Sequence, residues 1–242
     1  DRIDGWFEMA ISGDGDRNGD GPKDDEKMKK MERLDMGGTM QAEWEWLKSE
    51  LRDSPVPAVV GGNGTWDPRG RAVSFFREVV FAHMDCQSLN ILTLSSDEDN
   101  GRAQDQAEAQ IRLIDFKYAG LNRRAVDIGN TFCEHCNMNN LRPDNVAEYP
   151  SAEQQDYFLQ RYVRDAEAGL ASELDSQAEG WEEFLEAARE EVGKHALLSH
   201  LGWAVWAVAQ SRGSEIHFDY LAYAELRVEG FRLFKAKYWP PP

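Results

Sequence analysis

From residue 151 onward the chain is written in a helical period. The stretches "SAEQQDYFLQRYVRDAEAGL", "WEEFLEAAREEVGKHALLSHLGWAVWAVAQ" and "DYLAYAELRVEGFRLFKAKYW" repeat apolar side chains three and four residues apart, which stacks them on one face of a helix. A chain that commits this much length to helices has little left for a sheet. Upstream, only three short apolar runs have strand character: "EVVFAHM", "NILTL" and "IRLIDFKY". Their order is strand, polar turn, strand, long acidic loop, strand. The fold class expected is therefore α+β and mainly α-helical, with its polar motif residues on the strand connections.

The rest of the chain is consistent with one domain over residues 1–242. "TMQAEWEWLKSELRDSP" spaces Met40, Trp44, Leu47 and Leu51 as an amphipathic helix that stops before Pro55, and "DEKMKKMERLDM" also reads as helix. Residues 13–27, rich in Gly and Asp, read as a solvated acidic loop between helical segments, and residues 56–72 as a turn-rich excursion. There is no internal repeat. With 44 acidic against 27 basic residues the formal charge is −17, which repels nucleic acid and draws in a cationic small molecule. No uncharged apolar stretch approaches the ~20 residues of a membrane span, and the first residues lack the pattern of a secretion signal. Cys86, Cys133 and Cys136 are an odd set that suits a reducing compartment, so a cytoplasmic location is expected.

The run "AHMDCQSLNIL" sets His83, Asp85 and Asn90 among apolar residues, and Asp115 follows 25 residues after Asn90 at the end of "IRLID". In phosphoryl transfer one carboxylate orients the attacking hydroxyl and accepts its proton, while an asparagine and a second aspartate hold magnesium on the phosphates. The offsets suit that division of labour. Either aspartate alone could be a turn residue capping its own backbone; all of them in order within strand, loop and strand carry the kinase signature.

With these residues in view, the sequence resembles the C-terminal lobe of a choline or ethanolamine kinase, a protein-kinase-like fold. The segments that carry the resemblance are "HMDCQSLNIL", "IDFKYAGLNRRAVDIGNTFCE" and "SHLGWAVWAVAQSRGSEIHFDYLAYAELR", most of residues 79–230. The resemblance implies that Asp85 is the catalytic base, that Asn90 and Asp115 are magnesium ligands, and that His83 braces the catalytic loop. It places Gln87 near the phosphates of the co-substrate ATP. It also has Asp127, in "VDIGN", tie the loop after Asp115 to the lobe; the alternative is a helix N-cap.

A quaternary ammonium has no hydrogen to donate and is recognised by aromatic faces with a carboxylate nearby. Trp203 and Trp206 are three apart on a helical stretch and share a face. The resemblance makes them walls of an amine pocket, with Glu134, Tyr223 and Tyr118 at other pocket positions. Read without it, the two tryptophans are core residues, and Tyr223 is as readily a packing residue as a wall. Two departures stand out: Lys117 where the family usually has glutamate, and His135, Cys136 and Asn137 where many choline kinases have aromatics. A thinner cage would favour choline less and keeps ethanolamine open.

The function implied is the catalytic and amine-binding lobe of an ATP-dependent choline kinase serving phosphatidylcholine synthesis. The alternatives are an ethanolamine kinase or a non-catalytic binding module derived from one. The 79 residues before "FAHMD" read as helix and loop without a phosphate-covering β-rich lobe, so the ATP-binding N-terminal lobe is expected to be absent from this chain, which alone would be inactive. Some relatives form homodimers, which leaves a dimer as an open expectation. "DGDRNGDGPKDD" fits part of a calcium-loop pattern but ends in Asp25 with Pro22 inside it, and reads better as an acidic surface insertion. "CEHC" at 133–136 offers three ligands where structural zinc needs four, and "NGT" at 63 is a glycosylation sequon without use in a cytoplasmic protein.

Overall fold

A computed structural model describes residues 2–12, 25–52, 66–94, 110–136 and 148–240. The calcium-like pattern up to residue 24, most of the 56–72 excursion with its sequon, the acidic loop before the third strand, and Asn137 lie outside the described residues. The elements, in order, are α1 (Arg2–Ile11), α2 (Asp25–Leu34), α3 (Gln41–Leu47), α4 (Pro68–Arg77), β1 (Val79–Ala82), β2 (Ile91–Leu94), β3 (Gln110–Leu113), β4 (Gly120–Arg123), α5 (Arg124–Glu134), α6 (Ala152–Ala166), α7 (Ala168–Asp175), α8 (Gly180–Gln210) and α9 (Tyr220–Tyr238). Wider π-type turns, Met36–Met40 and Lys48–Arg52, flank α3 and extend it into one helical segment.

The 31-residue α8 organises the molecule. Its first turn carries Glu182 and Glu183, which favour a helix start through the dipole. From Ala196 to Val208 it is buried on nearly every side, as a helix enclosed by others must be. α9, α5, α4 and α1 pack around it. One apolar cluster joins α8 to α1, α3 and α9 through Phe7, Trp44, Leu47, Leu51, Leu201, Val205 and Phe231, and a second joins it to α4, α5 and α6 through Phe76, Phe132, Leu159 and Phe184. The Met40, Trp44, Leu47, Leu51 stripe is buried, as its spacing predicts. α5 lies very close to α8 at Gly129, where an added Cβ would stand 3.0 Å from the backbone of Val192 and Ala196.

Three expectations change. Residues 68–72 are helix rather than part of a turn-rich excursion, because the Asp67 carboxylate accepts the Gly70 amide at 2.8 Å and Pro68 opens the first turn. The helical stretch read over 151–170 is divided between two helices, broken at Glu167, where φ −150° and ψ 81° leave the helical region, and the second runs on to Asp175. A fourth strand, "GLNR", pairs antiparallel with β1, Val79 opposite Arg123 and Ala82 opposite Gly120; its sequence has no apolar alternation to announce it. β2 and β3 form a second antiparallel pair, Ile91 opposite Leu113. Among the described residues no helix is long and apolar enough to cross a membrane.

Candidate active site

The two hairpin-like pairs bring the polar motif together. β1 leads into His83, Met84 and Asp85; a 3-10 turn, Ser88–Asn90, returns the chain into β2; and Asp115 follows two residues after β3 ends at Leu113, at the start of a 3-10 turn, Phe116–Tyr118. The Ile114 amide donates to the Asn90 carbonyl at 3.0 Å, so the residues that follow β3 begin beside Asn90. Met84 and Asp115 both have positive φ, 66° and 61°, a conformation that side chains with a Cβ rarely adopt and that surrounding structure must hold in place.

His83 does much of that holding. Its Nδ1 accepts from the Asp85 amide at 3.3 Å, so the opposite Nε2–H donates to the Ile114 carbonyl 2.9 Å away. The ring links the loop of Asp85 to Ile114, between the end of β3 and Asp115, and packs 4.7 Å from Phe116. Asp127 lies in the first turn of α5, and its carboxylate accepts the amides of His83 at 2.9 Å and Met84 at 2.7 Å. Both oxygens are therefore engaged with the loop before Asp85, not with the loop after Asp115. Nor is Asp127 an N-cap: Arg123 stands in that position.

Asp85 is buried, with its side chain 3.2 Å from the Asn90 amide nitrogen, which also donates to the Asp85 carbonyl at 2.9 Å. Burial, assisted by the nearby Glu134 charge, pushes its carboxyl up to about 6, a value suited to a base near neutral pH. Because the Asn90 nitrogen faces Asp85, its amide oxygen is the end left for a ligand. Asp115 is partly exposed, and Lys117 donates to its Oδ2 at 2.9 Å; this hydrogen bond holds the Asp115 carboxyl below its ordinary value.

A cavity of about 270 Å³ opens beside Asp85 and is also lined by Gln87, Lys117, Glu134 and a run of aromatic rings. Tyr118, Trp203, Trp206 and Tyr223 are among them, and so are Phe218 and Tyr220, which the sequence did not single out. The rings meet edge to face: Tyr118 on Trp203 at 5.0 Å, Trp203 on Trp206 at 5.2 Å, and Trp206 on Tyr220 at 5.7 Å. Trp203 and Trp206 are half-buried, at once packed against the core and presented to the cavity. Tyr223 is buried, and wall and packing roles coincide in it. Asn130 fixes the Trp203 ring, accepting its Nε1–H at 2.8 Å.

Besides Phe218 and Tyr220, sequence reasoning missed Arg227. It is completely buried, donates through Nη2 to Glu134 at 2.5 Å and through Nε to the Tyr223 hydroxyl at 2.9 Å, and so anchors one carboxylate and one ring of the cavity. The signal was its place four residues after Tyr223 on a helix, hence on the same face. Cys133 and Cys136 are buried free thiols, pushed up by burial, Cys136 to about 12. No cluster of three or more His, Cys, Asp or Glu side chains able to hold a metal occurs among the described residues. A larger cavity, about 440 Å³, lies behind Tyr118 and Trp203, but its described walls hold arginines and amides without a carboxylate, the wrong polarity for a cation.

The arrangement has relatives. A family model described as choline/ethanolamine kinase matches residues 71–232. Choline kinase alpha of Mus musculus is 36% identical over 162 residues, 63% of this chain and 33% of the relative. Choline/ethanolamine kinase of Homo sapiens is 35% identical over 159 residues, 62% of this chain and 36% of the relative. Ethanolamine kinase 2 of Rattus norvegicus is 38% identical over 159 residues, 66% of this chain and 35% of the relative. The chain thus spans about a third of the length of these curated relatives. An ethanolamine kinase of Plasmodium vivax superposes with a TM-score of 0.63 at 21% identity, covering 97% of this chain and 49% of that one. A choline kinase of Cryptosporidium parvum superposes with a TM-score of 0.59 at 21% identity, covering 98% and 56%. At that identity the likeness is one of fold, a mainly helical, kinase-like lobe.

Proposed function

The chain belongs to the choline/ethanolamine kinase family, and from that premise we propose that it is the catalytic and amine-binding lobe of an ATP-dependent choline kinase. The observation that carries the reading is the 270 Å³ cavity, in which Asp85 and Glu134 face a row of aromatic rings beside Asn90 and the end of β3. The aromatic faces suit an ammonium, and the two carboxylates compensate its charge. Asp85 orients the substrate hydroxyl and accepts its proton as the oxygen attacks the terminal phosphorus of ATP.

The donor set suits magnesium, a hard cation that takes few protein ligands and completes its shell with phosphate and water. Asn90, through its amide oxygen, and Asp115 would hold it; the ion supplies charge neutralisation on the phosphates. Gln87 lines the same cavity as Asp85, and in this reading it would approach the phosphates of ATP. His83 and Asp127 keep the loop of Asp85 in place. Six rings, two more than the sequence pointed to, favour the trimethylated choline as acceptor; ethanolamine is the second reading, supported by the ethanolamine kinases among the relatives.

Two measurements test this. Tryptophan fluorescence of the chain titrated with choline should change through Trp203 and Trp206, with ethanolamine binding more weakly. In the full enzyme containing this lobe, Asp85→Ala should abolish phosphate transfer from ATP and magnesium while choline still binds. Transfer that survives the substitution removes Asp85 from the mechanism.

A further inference from the structure

The amine cavity already contains a cation. Lys117 is part of its wall, and its Nζ stands 5.2 Å from the centre of the Tyr118 ring, within cation–π reach, while donating to Asp115 at 2.9 Å. The Arg2 guanidinium stands 5.6 Å from the same ring and lines the cavity behind it. Tyr118 is therefore contacted by a cation from each of the two cavities it separates. Arg227, the other cation near the amine cavity, is fully buried and bound to Glu134 and Tyr223, so it cannot enter the space. Lys117 can: its side chain is 55% exposed, tethered only through its tip.

We infer that Lys117 is a tethered competitor of the substrate ammonium, occupying the Tyr118 face of the cavity until an incoming amine displaces it, and so setting amine affinity. Like charges cannot share one ring face: two cations about 5 Å apart repel strongly where water is partly excluded, so an amine binds at the Tyr118 face only as the lysine swings away toward solvent. The rings of Trp203 and Trp206 remain for the substrate, whereas a face of Tyr223 is taken by Arg227, 5.1 Å from its centre. The consequence is selectivity against weak cations, since an amine must offer enough aromatic contact to offset the loss of the lysine's own.

This inference rests on the amine-binding reading above, and the test separates the two. Choline binding is followed by tryptophan fluorescence without added divalent metal, in the unmodified chain and in Lys117→Met, Lys117→Arg and Lys117→Glu. Methionine keeps the length and removes the charge, so choline should bind about tenfold tighter. Glutamate should tighten it further, and arginine should leave affinity within about twofold. The neutral isostere 3,3-dimethyl-1-butanol should bind the unmodified and methionine forms alike, because only a charged ligand meets the repulsion. Equal choline affinity in the unmodified and methionine proteins, or a gain shared by the neutral isostere, overturns the role of Lys117 while leaving the pocket intact. Absence of choline binding to every form would remove the pocket itself, and this inference with it.

Discussion

Asp127→Ala is the sharpest probe of how the loop of Asp85 is held. The carboxylate accepts the His83 and Met84 amides at 2.9 and 2.7 Å, and Met84 sits at φ 66°. Hydrogen bonds to a charged group contribute roughly 1.5–3 kcal/mol each when the donor is otherwise left without a partner. Asp127 is half-buried, so the lower end applies and the pair contributes about 3 kcal/mol to keeping the loop closed. The αL conformation at Met84 adds to the tendency to open. Since about 1.4 kcal/mol corresponds to a factor of ten, amides of residues 83–87 should exchange with solvent about a hundredfold faster in the variant. Exchange within α8 and α9 should change much less, because the Asp127 side chain does not cap α5 and reaches neither helix. Asp127→Asn keeps one acceptor and should lie between. Hydrogen exchange followed by mass spectrometry reads all three. If exchange at 83–87 in the alanine form stays within twofold of the unmodified protein, the loop is held by something other than this carboxylate.

Two further outcomes are expected. Arg227→Met leaves the half-buried Glu134 beside the cavity without its cation, so stability should fall by about 3 kcal/mol in urea denaturation, and adding Glu134→Gln should recover much of it; no recovery would mean that the arginine's packing, not its pairing, matters. His195 and His200 are fully buried, and burial holds both below the ordinary value, His195 at about 4. The unfolded chain therefore binds their protons first, and stability present above pH 6.5 is lost as the pH falls toward 4, about 3 kcal/mol for His195. Asp85, raised to about 6, acts in the opposite direction over pH 4 to 6, so the measurement is the difference between the urea midpoints of the unmodified and His195→Gln proteins at pH 7.5 and 5. Equal pH slopes in the two would refute the assignment to His195.

What the sequence determined by itself is periodic or ordered along the chain. The long helical runs of α8 and α9 were legible from their composition, and the Met40 to Leu51 stripe reports burial directly, because an amphipathic helix turns its apolar residues to one side whatever it packs against. The spacing of His83, Asp85, Asn90 and Asp115 was legible through its resemblance to a kinase signature, not through any period. The rest depended on neighbours distant in sequence. β4 is a strand only because β1 offers it a hydrogen-bonding edge. Asp127 bonds a loop 43 residues upstream, where an isolated reading offered a cap or a different loop. Arg227 is worth burying only once α9 has packed it against Glu134, 93 residues away. Such contacts leave no period in the sequence: charge and hydrogen bonding act over a few ångströms in space, and which groups come that close is decided by the packing of helices around α8.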